Sequence, residues 1–587
     1  GYNDTFESTV IAALEFEQKL DFLTKGLRFK ALGTFKNWSK SINKYSAGWN
    51  KYLLGSYEQN EDGSYSYTTN RVGNEVSTDL NSTNETAGDR RIYLEAMVDY
   101  NRTFGRHDVN AMLLYNQDEL VNNVPGNNLI NSLPKRKQGL AGRLSYAYDG
   151  KYMAEVNMGY NGSENFAKGH RWGFFPSIAL GYNISEESFF EPLRKVITSM
   201  KLRGSWGLVG NDQIGGERFI YMPTINLSGK GFTTGIDQNY GLSGPVYTRY
   251  ENNSITWEVG EKINLGIDLQ LLNSLNIVVD IFRETRRDIF QKKGTIPTYL
   301  GTGNTDVFGN LAEMKNQGLD LSIDYNKAFS KDFYMNFKGT FTYAHNEITK
   351  YDEAPKYAFQ SKVGQSANVS QGYLSNGLFL DEAEIDRYNQ QMGSTLGAGD
   401  IKYLNVSNMH GYGDDIVDVD DWTWIGNPTV PEIVYGFGPS FKYKNWDFSF
   451  FFQGVAKTSL FMSGFHPFGD NSLRNVLQFV ANDRWSPTNQ NVDAKYPRLT
   501  RKTSLNNTNP GNSGRTSDYW MRDGSFLKLK NMELGYTFKR MRFYISGSNL
   551  LTFSKFDLWD PEQGGGSGLK YPTQRVFNVG FQMTFNN

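Results

Sequence analysis

The 587-residue chain contains no cysteine. That absence removes disulfide scaffolds, thiolate zinc sites and cysteine nucleophiles together. Any run of 18 or more apolar residues is missing as well. A membrane-crossing helix needs about 20 of them, so helical spans are excluded. A β-barrel is not excluded, because only alternate residues of its strands meet lipid. Neither sign of charge is in excess: the net charge is −1. There is thus no global basic field for nucleic acid. The opening GYNDTFESTV has neither the basic n-region nor the apolar core of a signal peptide. The expectation is that a signal was removed or that the chain is part of a longer protein. The motifs G-x-S-x-G, H-E-x-x-H, the P-loop and G-x-G-x-x-G are all absent. The five histidines, His107, His170, His345, His410 and His466, are scattered among turns and loops. No catalytic set emerges, and the chain is read as a non-enzyme.

What the sequence has in quantity is aromatic residues, 15% of the chain, on a background of mean hydropathy −0.55. They recur in alternating segments. In Leu140–Tyr160, LAGRLSYAYDGKYMAEVNMGY, the residues Leu140, Leu144, Tyr146 and Tyr148 lie on one face, with Arg143 and Ser145 on the other. Asp149-Gly150 is a hairpin signal, since a tight turn needs positive φ and Gly supplies it cheaply. Tyr152, Ala154, Val156, Met158 and Tyr160 then alternate with Glu155 and Asn157. Eight steps of ~3.3 Å at ~40° tilt give roughly 20 Å, close to the height of a barrel's lipid-facing belt between aromatic girdles. The pattern predicts a transmembrane β-hairpin, with Leu144 and Val156 toward lipid and Arg143 and Glu155 toward the lumen.

The same plan recurs along the chain. Strands are expected at 10–17, 27–36, 92–100 and 109–115, then at 178–184, 200–208, 263–271, 276–282, 319–325 and 333–344. The last are at 434–443, 446–452, 526–538, 543–552 and 577–585. Short turns alternate with long polar loops, the longest at 209–262, 348–430 and 457–522. The polar segment 37–89 is read as a loop. Trp446, Phe448, Phe450 and Phe452 share a face expected to meet lipid, with Phe451 inward. Sorting of loop lengths by end is the habit of outer-membrane barrels, short turns periplasmic and long loops extracellular. The fold class is therefore all-β, a transmembrane antiparallel β-barrel with about 17 strands in this chain. A single-chain barrel normally has an even number, and an open edge in lipid leaves backbone groups unpaired. An odd number of further strands is expected upstream.

Several collinear segments carry a family resemblance. They are Gln138–Phe190, ITWEVGEKINLGIDLQLLN with Trp257, Glu258, Asn264, Gly266 and Asp268, DRWSPTNQNVDAKYPRL, YWMRDGSFLKLKNMELGYTF, SGSNLLTFSKFDLWDPE and the ending YPTQRVFNVGFQMTF. Over nearly the whole chain from about Leu20 the sequence resembles the SusC/RagA family of TonB-dependent outer-membrane transporters. The resemblance implies a 22-stranded barrel in the outer membrane of a Gram-negative bacterium. Residues 1–587 are part of that barrel, and the N-terminal plug domain and first strands lie outside this chain or on another one. It implies TonB-dependent active import of a large nutrient, an oligosaccharide or peptide. A SusD-like surface lipoprotein, the TonB complex acting through the N-terminal part, the plug and outer-membrane lipid are the implied partners. No nucleic acid partner is expected. A passive porin and a surface receptor or adhesin are the alternatives.

The acidic loop GYGDDIVDVDDWTWIGNP, 411–428, is the candidate metal site. The resemblance implies an Asp-x-Asn-Gly-Asp-Gly-x-Ile-Asp-x-x-Asp stretch here. Asp414, Asp418 and Asp421 match its acidic positions, while His410 and Tyr412 replace its first two ligands and Asp415 a glycine. Calcium takes six to eight oxygens, so the three carboxylates are a partial match to a calcium site, and the alternative is a solvated acidic loop. Loop aromatics Trp422, Trp424, Tyr240, Tyr247 and Phe465 are candidates for stacking on sugar, for contact with the lid lipoprotein or for packing within the loops.

Overall fold

The computed structural model describes all residues except 127–128, 298–305, 389, 392–395, 413, 466–467, 469–474, 503–505, 508–515 and 586–587. His466 and the terminal Asn586-Asn587 lie outside the described residues. Seventeen strands belong to one antiparallel sheet. They are β1 (Tyr2–Lys19), β2 (Leu27–Ser46), β3 (Asn81–Phe104), β4 (His107–Asn122), β5 (Lys135–Tyr148) and β6 (Tyr152–Ser163). Next come β7 (Trp172–Asn183), β8 (Ile197–Asn211), β9 (Glu258–Leu271), β10 (Leu275–Lys292), β11 (Phe308–Ser330) and β12 (Phe333–Lys350). The last are β13 (Ile433–Tyr443), β14 (Trp446–Ala456), β15 (Phe526–Phe538), β16 (Met541–Ser554) and β17 (Val576–Met583). The count agrees with the sequence pattern. Among the described residues no helix is long and apolar enough to cross a membrane.

The chain divides into two compact units. The first comprises Gly1–Tyr146, Asn157–Phe175 and Asp212–Tyr221. In it β1, β2, β3 and β4 pair in chain order, each antiparallel to the next. The second comprises Ala147–Val156, Pro176–Asn211 and Met222–Asn587. In it the order from β7 to β17 is likewise sequential, each strand bonded to its successor. Among the described pairings β1 is bonded along one edge, to β2, and β17 along one edge, to β16.

The alternation decides which side chains are exposed. Leu144, Tyr146, Val156, Met158 and Tyr160 are exposed large apolar residues, a waste of hydrophobic area in water but the natural state of a lipid-facing belt. The aromatic face of β14 is continuous: Phe448 and Phe450 rings lie 5.6 Å apart, Phe450 and Phe452 5.8 Å, and Phe452 stacks on Phe437 of β13. Phe451 is on the other face, and a Cβ on Gly436 would come within 2.9 Å of its ring.

The hairpin turn is as expected. Asp149 and Gly150 both have positive φ, 52° and 67°, and Lys151 N–H donates to Tyr148 O at 2.9 Å, a type I′ turn. In the turn between β9 and β10 positive φ falls on Leu272 and Asn273, closed by Ser274 N–H on Leu271 O. A Leu at positive φ costs energy that sequence reasoning avoids, but the pairing Leu271↔Leu275 fixes a two-residue link plus Ser274 and leaves no alternative.

Three expectations need correction. The first strand covers 2–19 rather than 10–17, because its ladder to β2 continues through polar residues. The segment 37–89 is not one loop. β2 runs to Ser46, β3 begins at Asn81, and Lys51–Gln59 pairs with Tyr65–Val72 as a hairpin between them. Cross-strand polar pairs such as Asn84 Nδ2 to Asn43 Oδ1, 2.7 Å, sustain the ladder where the apolar alternation has stopped. The long loops, finally, are not simply solvated. Thr224–Thr234 and Tyr240–Arg249 form a second hairpin, and the connections after β12, β14 and β16 share a hydrophobic core.

Candidate functional site

That core is the principal buried cluster of the second unit. It unites Tyr373, Leu378, Ile401, Tyr403, Val417, Leu460, Met462, Phe465, Phe468, Trp485, Tyr496, Trp520 and Phe556. Trp520 lies 5.3 Å from the Phe468 ring and 6.4 Å from Phe465, both as ring centroids. The buried carboxylate of Asp400 is satisfied from within. Arg498 binds fully buried Asp400 through two bonds, 2.5 and 3.0 Å, and Asp400 also accepts from Asn507 Nδ2 at 2.6 Å. Burial pushes the Tyr496 phenol up to about 12. Phe465 is 2% exposed, so it packs the core and is not available to stack on sugar. Trp424 is half-buried and its indole N–H donates to Ser361 O at 2.8 Å. Trp422, Tyr240 and Tyr247 are exposed, with Tyr247 stacked on Tyr250.

The acidic loop is folded against this core. Asp421 is fully buried; one carboxylate oxygen accepts from Ser407 N–H and Oγ–H at 2.9 and 3.0 Å, and the other from Asp418 N–H at 2.8 Å. Asp418 in turn accepts from Asp420 N–H, capping the short 3₁₀ turn Val419–Asp421 in a reciprocal capping box. Burial holds the Asp421 carboxyl above the usual aspartate range, offset in part by the N–H groups aimed at it. Asp414 accepts from Asn405 Nδ2 at 3.2 Å and from Ser407 Oγ at 3.3 Å. Asp414 and Asp421 thus meet at Ser407, while Asp418 is turned to its own helical turn. Among the described residues no group of three or more His, Cys, Asp and Glu side chains is arranged to hold a metal ion. The replaced positions have a different use: His410 stacks on Phe359 at 4.6 Å, and Tyr412 packs against Tyr357 with centroids 4.1 Å apart and the rings tilted.

The polar face of the strands carries charge clusters that sequence reading missed. Arg203 of β8 binds Asp268 of β9 at 2.8 Å and Asp280 of β10 at 3.0 Å. Gly266 lies opposite both Arg203 and Asp280, and a Cβ there would come within 2.8 Å of the guanidinium. Arg542 of β16 binds Glu533 of β15 at 2.5 Å and Asp447 of β14, over Gly535. Each is one arginine between two carboxylates across three strands, with a glycine making room. Strand register, not composition, brings them together. A third cluster sets Lys528, 1% exposed, between Asp560 and Glu562. Beside it a cavity of about 630 Å³ is lined by Gln453, Thr458, Phe461, Glu562 and the backbone of Gly564–Gly566. Its size and mixed lining are those of a ligand pocket.

A model of the β-barrel of TonB-dependent receptor-like proteins matches residues 5–550. The chain belongs to the TonB-dependent receptor β-barrel family. TonB-dependent receptor P3 of Formosa agariphila is 25% identical over 642 residues, covering 99% of this chain and 58% of that protein. TonB-dependent receptor SusC of Bacteroides thetaiotaomicron is 28% identical over 471 residues, 76% of this chain and 43% of that protein. The chain spans about half the length of the curated relatives it matches. Among solved structures, the RagAB peptide transporter aligns with a TM-score of 0.70 at 18% identity, covering 99% of this chain and 62% of that one. The SusC/RagA resemblance is thereby upheld, and with it an outer-membrane β-barrel whose named relatives are receptors rather than enzymes.

Proposed function

We propose that this chain is the barrel part of an outer-membrane importer that moves a large nutrient, an oligosaccharide or peptide, inward by TonB-dependent transport. The observation that carries the reading is the shared aromatic core of the loops after β12, β14 and β16, set beside a cavity of mixed lining of about 630 Å³. A packed loop assembly gives a firm platform on which a SusD-like lipoprotein can rest and close over cargo. The free edges of β1 and β17 fit a longer protein whose further strands complete the barrel, since unpaired strand edges are prohibitive in lipid. Its plug would meet the polar face carrying the Arg203 and Arg542 clusters, and TonB would act through that N-terminal part.

Deletion of the gene in its native host, followed by growth on single oligosaccharides and peptides, tests the proposal. The expected result is loss of growth on one nutrient class, reproduced by deletion of TonB. Undiminished growth on every nutrient would favour a surface receptor. Ion conductance of the complete protein in a planar bilayer without TonB would favour a porin.

A further inference from the structure

Within the first unit, one pocket stands on the apolar face of the sheet rather than the polar one. Trp172, the first residue of β7, is 41% exposed. Its indole stacks on Tyr160, centroids 4.7 Å apart and planes 15° apart. A Cβ built on Gly162 would sit 3.1 Å from three carbons of the same indole. Tyr160 and Gly162 are two residues apart on one strand face, a spacing of about 6.7 Å. The indole therefore stands on edge in that gap, with one face on Tyr160 and the other over the glycine. The missing side chain leaves that second face uncovered, and a cavity of about 380 Å³ opens against it.

The rest of the lining is mostly polar, with the amides Gln117 and Gln138 and the charged Arg136, Lys137, Glu164 and Arg171 beside the rings of Phe219 and Tyr221. Gln117 and Gln138 are joined through the Tyr115 hydroxyl, at 3.3 and 3.2 Å, and Arg136 is held to Glu119 at 2.6 Å. Tyr221 closes one side. An open aromatic face flanked by amides that both donate and accept is the chemistry that recognises a pyranose, apolar C–H face on the ring and hydroxyls to the amides. Position selects the source. Tyr160 continues the exposed apolar row Val156, Met158, and β5 begins and β6 ends at long connections. The pocket thus lies where the lipid belt gives way to headgroups on the long-loop side.

We propose that this pocket binds a sugar ring of a glycolipid headgroup of the surrounding membrane, as an annular site separate from any cargo path. The same chemistry would fit a sugar of a soluble oligosaccharide, and the test separates the two. The complete receptor, delipidated and placed in phospholipid nanodiscs doped with rough lipopolysaccharide, is examined by native mass spectrometry. The expected result is a retained lipopolysaccharide in wild type and in Trp172→Phe, with at least tenfold weaker retention in Trp172→Ala and Gly162→Val. Thermal unfolding of the barrel serves as the folding control and should be unchanged. Core oligosaccharide released from the same lipopolysaccharide is titrated in parallel and should bind at least tenfold more weakly than the anchored form. Equal retention by all four proteins overturns the site. Equal binding of the free oligosaccharide overturns the glycolipid assignment. Neither outcome depends on what the transporter carries.

Discussion

Leu144 and Trp520 are both large apolar residues, and the chain treats them in opposite ways. Leu144, on β5, is 52% exposed; Trp520, in the connection before β15, is 0% exposed. The same inversion holds for their neighbours. Strand faces display Val156, Met158 and Leu180, whereas the loops bury Tyr373, Tyr403 and Phe468. In a water-soluble protein the regular elements hold the core and the loops are solvated. Here the strands have lipid as their apolar phase, and the loops, standing in water, must build an apolar phase of their own.

The sharpest test of this contrast is Trp520→Ala. A cavity of that size in a packed core costs about 3–5 kcal/mol. The connections at 351–432, 457–525 and 555–575 should become protease-sensitive while the barrel retains its heat-modifiable migration on gels. Loss of both together would break the separation between the two regions. Next is Val156→Arg, which on a lipid face should cost about 2–4 kcal/mol in urea unfolding from vesicles. Glu155→Arg, one residue away on the opposite face, should cost far less, and equal costs would refute the assigned faces.

Smaller is Asp421→Asn, which turns one accepting oxygen into a donor against an N–H and should loosen the loop by about 1–3 kcal/mol. Its pH dependence has a definite sign. The folded carboxyl titrates above its unfolded value, so the folded state holds its proton more firmly. Loop stability therefore falls as pH rises from about 3.9, the ordinary aspartate value, through the raised one, and recovers on acidification. Proteolysis rates of wild type minus Asp421→Asn across that range should show the trend, and a flat difference would remove it. Smallest of all is calcium: isothermal titration into wild type and Asp418→Ala should give identical heats, and a wild-type excess would revive the cation site.

Legibility from sequence followed the same divide. The strands could be read because a sheet writes its two faces into every second residue, and Asp149-Gly150 could be read because positive φ restricts composition. Leu272 could not, because register imposed its conformation from outside the turn. Arg203, Asp268 and Asp280 are 12 to 77 residues apart and become neighbours only through pairing. The loop core has no period at all; Phe465 and Trp422 look alike in sequence, yet one is buried and the other exposed. The Asp418-to-Asp421 spacing did carry a signal, that of a capping box, and it was eclipsed by the metal-like pattern around it.

The make-up of the loop core sets an order of events. Its members run from Tyr373 to Phe556 and are interrupted by the hairpins β13–β14 and β15–β16. Contacts of such long sequence separation are slow to form, because the intervening chain must first be brought into place. The four strands must find their register before the three connections can meet. The loop core is therefore the last part of the second unit to assemble, and its completion reports that these four strands are in register.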